Sequence, residues 1–174
     1  SVMGFIINSF LFDSTPTPDF EDDFSSSTGW TAVGSGVTVD NASFPDILKA
    51  NSINTATDNR VHKALGFTLG DDFVARFVVN STSISGGAFV FIFAVTAGTS
   101  NLATSTNQDL ISVAIDMGSY TVYMRSKDGT TAGTNTAGVG TSAGTTYYIE
   151  VIKDGTAGTI KIRTGSFEGT PTTK

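Results

Sequence analysis

Segment after segment of this chain alternates along a two-residue period, and no ten-residue stretch carries the 3.6-residue period of an amphipathic helix. Phe73, Ala75, Phe77 and Val79 alternate with Val74, Arg76 and Val78. Ile111, Val113 and Ile115 alternate with Ser112, Ala114 and Asp116, and Tyr120, Val122 and Met124 with Thr121, Tyr123 and Arg125. Successive side chains of a strand point to opposite faces, so each of these runs reads as a strand. Residues 88–95, AFVFIFAV, are apolar at every position and predict a central strand covered on both faces. Only residues 42–50, ASFPDILKA, leave room for a single helical turn.

Turn chemistry separates these runs. The 19 glycines are scattered among Ser, Thr and Asn, residues that favour turns and solvent-facing strand positions over helix interiors. Residues 147–164 read as two strands joined by the short glycine-containing loop DGTAG, with Lys161 and Arg163 on a wet face. Lys-Asp-Gly occurs at 127–129 and again at 153–155, as two similar hairpin turns would. A chain of 174 residues fits one domain. About eight to eleven short strands with one buried member predict an all-β, two-sheet antiparallel β-sandwich of the jelly-roll kind.

Composition removes several functions. Net charge is −6, and no run of Lys or Arg exists to replace the counterions of a nucleic acid. The absence of cysteine excludes disulfides and thiolate metal sites. No apolar run approaches the roughly 18 residues of a membrane span.

Residues 1–12 stand apart. SVMGFIINSFLF is apolar without alternation, lacks the basic start of a signal peptide, and runs into the proline-spaced linker DSTPTPD. Residues 1–19 therefore read as an arm and 20–174 as the globular body. Left exposed, Val2, Phe5, Ile7, Phe10 and Phe12 would be an aggregation hazard. Burying five such side chains is worth roughly 8–15 kcal/mol before ordering costs. Such an arm either adds a strand to its own sandwich or inserts into a neighbour by strand addition, making self-association or a virion or filament partner the expected interaction.

Residues 22–41, DDFSSSTGWTAVGSGVTVDN, resemble the opening of concanavalin A-like, laminin-G-like jelly-roll domains. Residues 59–79, NRVHKALGFTLGDDFVARFVV, and 145–164, TTYYIEVIKDGTAGTIKIRT, extend the resemblance over most of 20–164. It implies a two-sheet antiparallel sandwich of a type often used for glycan recognition or adhesion. GFIINSFLF also resembles the short openings of tailed-phage structural proteins that carry such domains. Members of the superfamily usually close with a strand beside the first; here SFEGTPTTK follows the last hairpin, so that strand is either short or borrowed.

Catalysis can be tested by inventory. The single histidine, His62, reads as an exposed strand residue, and no serine sits in a Gly-x-Ser-x-Gly elbow. Sandwich glycosidases of the laminarinase type carry paired carboxylates as Glu-x-Asp-x-x-Glu on one strand, and none of the three glutamates, Glu21, Glu150 and Glu168, sits in that motif. The inventory argues against an enzyme. No cofactor is required, although Glu21, Asp22 and Asp23 form a loop cluster of hard oxygens suited to structural Ca2+, and Asp71 with Asp72 form a second. For sugar binding, Tyr123 and Arg125 share a strand face, with Asp116 on the preceding strand as a third polar group. Trp30 reads first as a core anchor. Asn41 and Asn80 open N-glycosylation patterns. The expectation is a non-enzymatic structural or assembly module of a virion or extracellular surface, with a carbohydrate-binding module as the alternative and a glycoside hydrolase a distant third.

Overall fold

The computed structural model describes residues 4–13, 18–34, 36–40, 47–50, 59–83, 89–96, 110–116, 118–127 and 134–174. Among them there is no helix. Fifteen strands are present: β1 (Gly4–Asp13), β2 (Pro18–Asp22), β3 (Thr31–Val33), β4 (Val37–Asp40), β5 (Ile47–Ala50), β6 (Arg60–His62), β7 (Phe73–Ser83), β8 (Phe89–Thr96), β9 (Leu110–Asp116), β10 (Thr121–Lys127), β11 (Thr134–Asn135), β12 (Val139–Gly140), β13 (Thr146–Asp154), β14 (Ala157–Thr164) and β15 (Thr172–Thr173). Every pairing between them is antiparallel. The all-β, two-sheet expectation holds. The helical turn allowed over 42–50 is replaced by strand β5 at its described end, and residues 41–46 lie outside the described residues.

The chain divides into two compact units. The first, from residues 1–84 and 142–173, holds an eight-stranded sheet in the order β15-β14-β13-β7-β1-β5-β4, with β2 also on β1, and the separate ladder β3–β6. Its apolar face is set by register. Phe77 stands opposite Ile149, and Ile149 opposite Ile162; Ala75 stands opposite Val151, and Val151 opposite Ile160. All six are buried, five of them almost fully. Complete burial of side chains this size contributes about 1.5–3 kcal/mol each for the larger ones, so this patch anchors the sheet.

Residues 4–13, expected as an arm, form β1 within this sheet. β7 runs along one side of β1; β5 meets the other side at Ile6 and Ile7, and β2 meets it from Phe10 to Asp13. Phe5, Ile7, Phe10 and Phe12 stand opposite Ser81, Val79, Phe77 and Ala75 of β7, with an irregularity between Ile7 and Phe10. Of the two arrangements expected, the structure contains the pairing within the chain. Val2 lies outside the described residues. The last strand, two-residue β15, pairs with Lys161 and Ile162 of β14 and not with β1.

The second unit, residues 85–141 with Lys174, holds the sheet β11-β10-β9-β8, with β12 also on β10. Val113, Ile115, Val122, Met124 and Val139 are buried. The expectation for 88–95 needs correction: β8 is the end strand of this sheet among the described residues, not a central one. Uniform apolarity carries no information about how many neighbours the backbone has. Ile92 and Phe93 are buried, next to a bulge between Phe91 and Phe93, and Val90, Phe91, Ala94 and Val95 are half-buried.

Candidate functional site

Two charge clusters organise the first unit. The first is centred on Asp22, at the end of β2 and only 7% exposed. Its Oδ1 accepts the backbone N–H of Phe24 at 2.8 Å; its Oδ2 accepts Trp30 Nε1–H at 3.0 Å and Lys63 Nζ at 2.5 Å. The short ladder β3–β6 explains why these groups meet. Thr31 pairs with His62, so Trp30 just before β3 and Lys63 just after β6 leave the ladder at the same end. Lys63 Nζ lies 5.7 Å from the ring centroids of both Phe20 and Trp30, and the Phe24 ring sits 5.3 Å from that of Trp30. Phe24 is fully buried at φ 58°, a conformation non-glycine residues adopt reluctantly, and the bond to Asp22 helps hold it there. Gly29, at φ +82°, lets the lysine pass: a Cβ there would sit 3.2 Å from Lys63 Cε.

The expected oxygen cluster does not converge. Glu21 and Asp22 are neighbours on a strand, opposite Leu11 and Phe10 respectively, so their side chains leave on opposite faces. Glu21 is exposed, and Asp22 already holds a cation. Asp23 is exposed and accepts Ser25 N–H at 2.9 Å; bonds from Ser25 hold its carboxyl below the usual range. Asp72 Oδ1 accepts Gly155 N–H at 2.6 Å, and Lys153 Nζ donates to Asp71 O at 2.9 Å, so that acidic pair pins the β13–β14 turn. Among the described residues, no group of three or more His, Asp or Glu side chains is placed to hold a metal ion.

The second cluster crosses the face of the eight-stranded sheet opposite Phe77 and Ile149. Thr173, Lys161, Glu150, Arg76, Leu11 and Glu21 stand in one cross-strand row. Glu150 is 6% exposed, a burial that demands partners. Arg76 Nε donates to Oε2 at 2.7 Å, while Lys161 Nζ and Arg163 Nη2 reach Oε1 at 3.3 and 3.4 Å. Burial acts to raise the Glu150 carboxyl, but the hydrogen bonds and charges of Arg76 and Lys161 outweigh it and hold the group below its ordinary value. Arg163, expected on a wet face, is only 9% exposed. Its Nε donates to Gly169 O at 3.0 Å, and Phe167 meets Tyr148 edge-on at 5.2 Å, so the segment after β14 folds over this row.

In the second unit, β10 carries Tyr123 and Arg125 on the face opposite buried Val122 and Met124, as alternation predicts. Tyr123 pairs with Ala114 and Arg125 with Ser112; Asp116 is opposite Thr121, one step along the same face. Both Tyr123 and Arg125 are half-buried, and Arg125 Nε is enclosed without a hydrogen-bond partner. Gly138 lies against this face: a Cβ there would collide with Thr121 Cγ2 and come within 2.7 Å of Tyr123 Cε1. Asp116 is occupied locally, accepting Gly118 N–H at 2.9 Å and Ser119 Oγ–H at 3.0 Å, which holds its carboxyl below the usual range.

His62 is half-buried rather than exposed, with Nδ1 enclosed and without a hydrogen-bond partner. Asn80 is half-buried and its Nδ2 donates to Thr146 Oγ1 at 2.9 Å, a bond that a glycan on that nitrogen would have to displace. Asn41 lies outside the described residues. Sequence reasoning singled out Asp22 but not its partners Lys63 and Trp30, and it missed the Glu150 row. The signal for the Glu150 row was its register with Arg76 and Lys161, which requires knowing that β7 and β13 are neighbours. No family model, curated protein or solved structure matches the chain.

Proposed function

We propose that this chain is a non-enzymatic structural module of a virion or extracellular surface, a decoration, fibre or filament subunit built on a jelly-roll β-sandwich. The observation that carries this reading is the fate of the buried carboxylates. Glu150 is answered by Arg76, Lys161 and Arg163, and Asp22 by Lys63 and Trp30. A general acid or base needs a carboxyl free to exchange a proton with a substrate. These are spent on tying strands together instead, as a load-carrying scaffold requires.

With β1 paired on both sides by its own chain, the surface favoured for self-association moves from the arm to β8. That strand is uncharged and free of proline over 89–96, and it ends its sheet among the described residues. Charges and prolines are the usual guards of a sheet edge, and their absence favours addition of a second copy. Light scattering of the full chain over a concentration range tests this. A mass that rises to a defined oligomer supports the assembly reading, and a monomer throughout refutes it.

A carbohydrate-binding role is the second reading, favoured by one feature: Arg125 keeps Nε without a partner beside the half-buried ring of Tyr123. Screening the chain against glycans tests it directly.

A further inference from the structure

The Asp22 cluster contains the parts of a condensation reaction. An amine and a carboxyl are in contact at 2.5 Å, the carboxyl is almost fully buried, and the aromatic rings of Phe20, Phe24 and Trp30 surround the pair. We propose that Lys63 Nζ and the Asp22 carboxyl condense spontaneously into an intramolecular amide that joins β2 covalently to the β3–β6 ladder.

The reaction balances without a co-reactant. An ammonium and a carboxylate together already hold the atoms of one amide and one water. Transfer of a proton from Nζ to Oδ2 turns the ion pair into a neutral amine and a neutral acid; the carboxyl side chain is 6% exposed and the lysine side chain 27%. The amine lone pair then attacks Cγ, forming the C–N bond. Oδ2 departs as water, taking the second amine proton, and Oδ1 remains as the amide oxygen.

The two oxygens are already distinguished. Oδ1 accepts the Phe24 N–H at 2.8 Å, a fixed backbone donor placed on the atom that carries negative charge in the tetrahedral intermediate. Oδ2 faces both Trp30 Nε1–H and Lys63 Nζ, so the leaving oxygen is the one nearest the proton source. Holding the reactants in contact removes the entropic part of the barrier that makes the same condensation negligible in water.

The other buried ion pair is the internal contrast. Lys161 Nζ is 3.3 Å from Glu150, but Arg76 and Arg163 also bind that carboxylate. An arginine does not lose its proton in a protein, so Glu150 stays charged, and a charged carboxylate does not accept an amine. Only Asp22 has lysine as its sole cation among the described residues. For a chain with no cysteine, such a bond supplies the covalent staple that a disulfide cannot.

Intact-mass spectrometry of the full chain, purified and then refolded from denaturant, tests this independently of any assembly role. The expected mass is lower than that of the sequence by one water, and digestion yields a branched peptide joining the segments around residues 22 and 63. Lys63→Arg keeps the ion pair but cannot form the amide, and the expected variant is folded with the full sequence mass. A folded native chain with the full sequence mass after prolonged incubation overturns the proposal. A water lost equally from Lys63→Arg overturns it too, by placing the reaction elsewhere.

Discussion

Arg76 and Glu150 face each other across the β7–β13 pair, 74 positions apart in sequence, with Nε donating to Oε2 at 2.7 Å. This contact and its two companions make the polar face of the eight-stranded sheet a single electrostatic unit. Removing the carboxylate leaves three cations gathered around an empty centre. Glu150→Ala therefore lowers unfolding stability by about 3–5 kcal/mol, the usual cost of orphaning a buried charge. Urea denaturation of both proteins checks this, with an unchanged midpoint contradicting it.

Acid should act through the same residue. The Glu150 carboxyl is held below its ordinary value of 4.5 in the folded protein. Its contribution is complete above that value and is lost as pH falls through the lower, folded one. Thermal midpoints should fall in that window for the native chain, and the fall should be shallower in Glu150→Gln.

Gly138→Ala places a methyl group against Thr121 Cγ2 and the Tyr123 ring. The β12 segment must then shift, at a cost of about 1–3 kcal/mol. If Tyr123 belongs to a sugar site, the same substitution also weakens glycan binding; Arg125→Ala weakens it with little loss of stability. Calorimetric titration alongside melting separates the two effects.

Deleting residues 1–18 removes a strand hydrogen-bonded on both sides. The expected product is unfolded or aggregated, not a smaller folded body, and circular dichroism distinguishes these outcomes. A well-folded truncated monomer would mean that β7 does not depend on β1.

Association through β8 involves no charged side chain over 89–96. Its strength should change little between low and high salt, since screening acts on charges alone. An oligomer that dissociates on adding salt points to another surface.

The strands were readable where alternation was clean: β7, β9, β10, β13 and β14 all fall where the two-residue period places them. So was the closing hairpin, because Gly155 adopts the positive φ of 54° that its turn needs. What could not be read was adjacency. Nothing local says that Val78 lies beside Tyr148, or that Phe77 meets both Phe10 and Ile149. The sequence of residues 1–12 leaves two arrangements open for the same reason. Apolarity on both sides fits a donated strand and a central strand equally, and pairing partners decide between them. Residues 89–96 differ in the other direction: Ile92 and Phe93 are buried, yet the strand ends its sheet among the described residues. Asp22, a metal ligand by composition, is a lysine partner in the fold because the β3–β6 ladder brings Lys63 to it.

The order of strands across the larger sheet also bears on how the chain is made. β1 is synthesised before β7, yet β7 must wait for β13 and β14, which are made more than 60 residues later. Apart from Lys174, the smaller unit lies between them in sequence. It can complete its hydrogen bonding while the larger sheet still has an open side. Vectorial synthesis thus imposes a schedule: the interrupted unit stays unfinished until the last hairpin is released, and a nascent chain stalled before residue 142 presents β7 as a sticky edge.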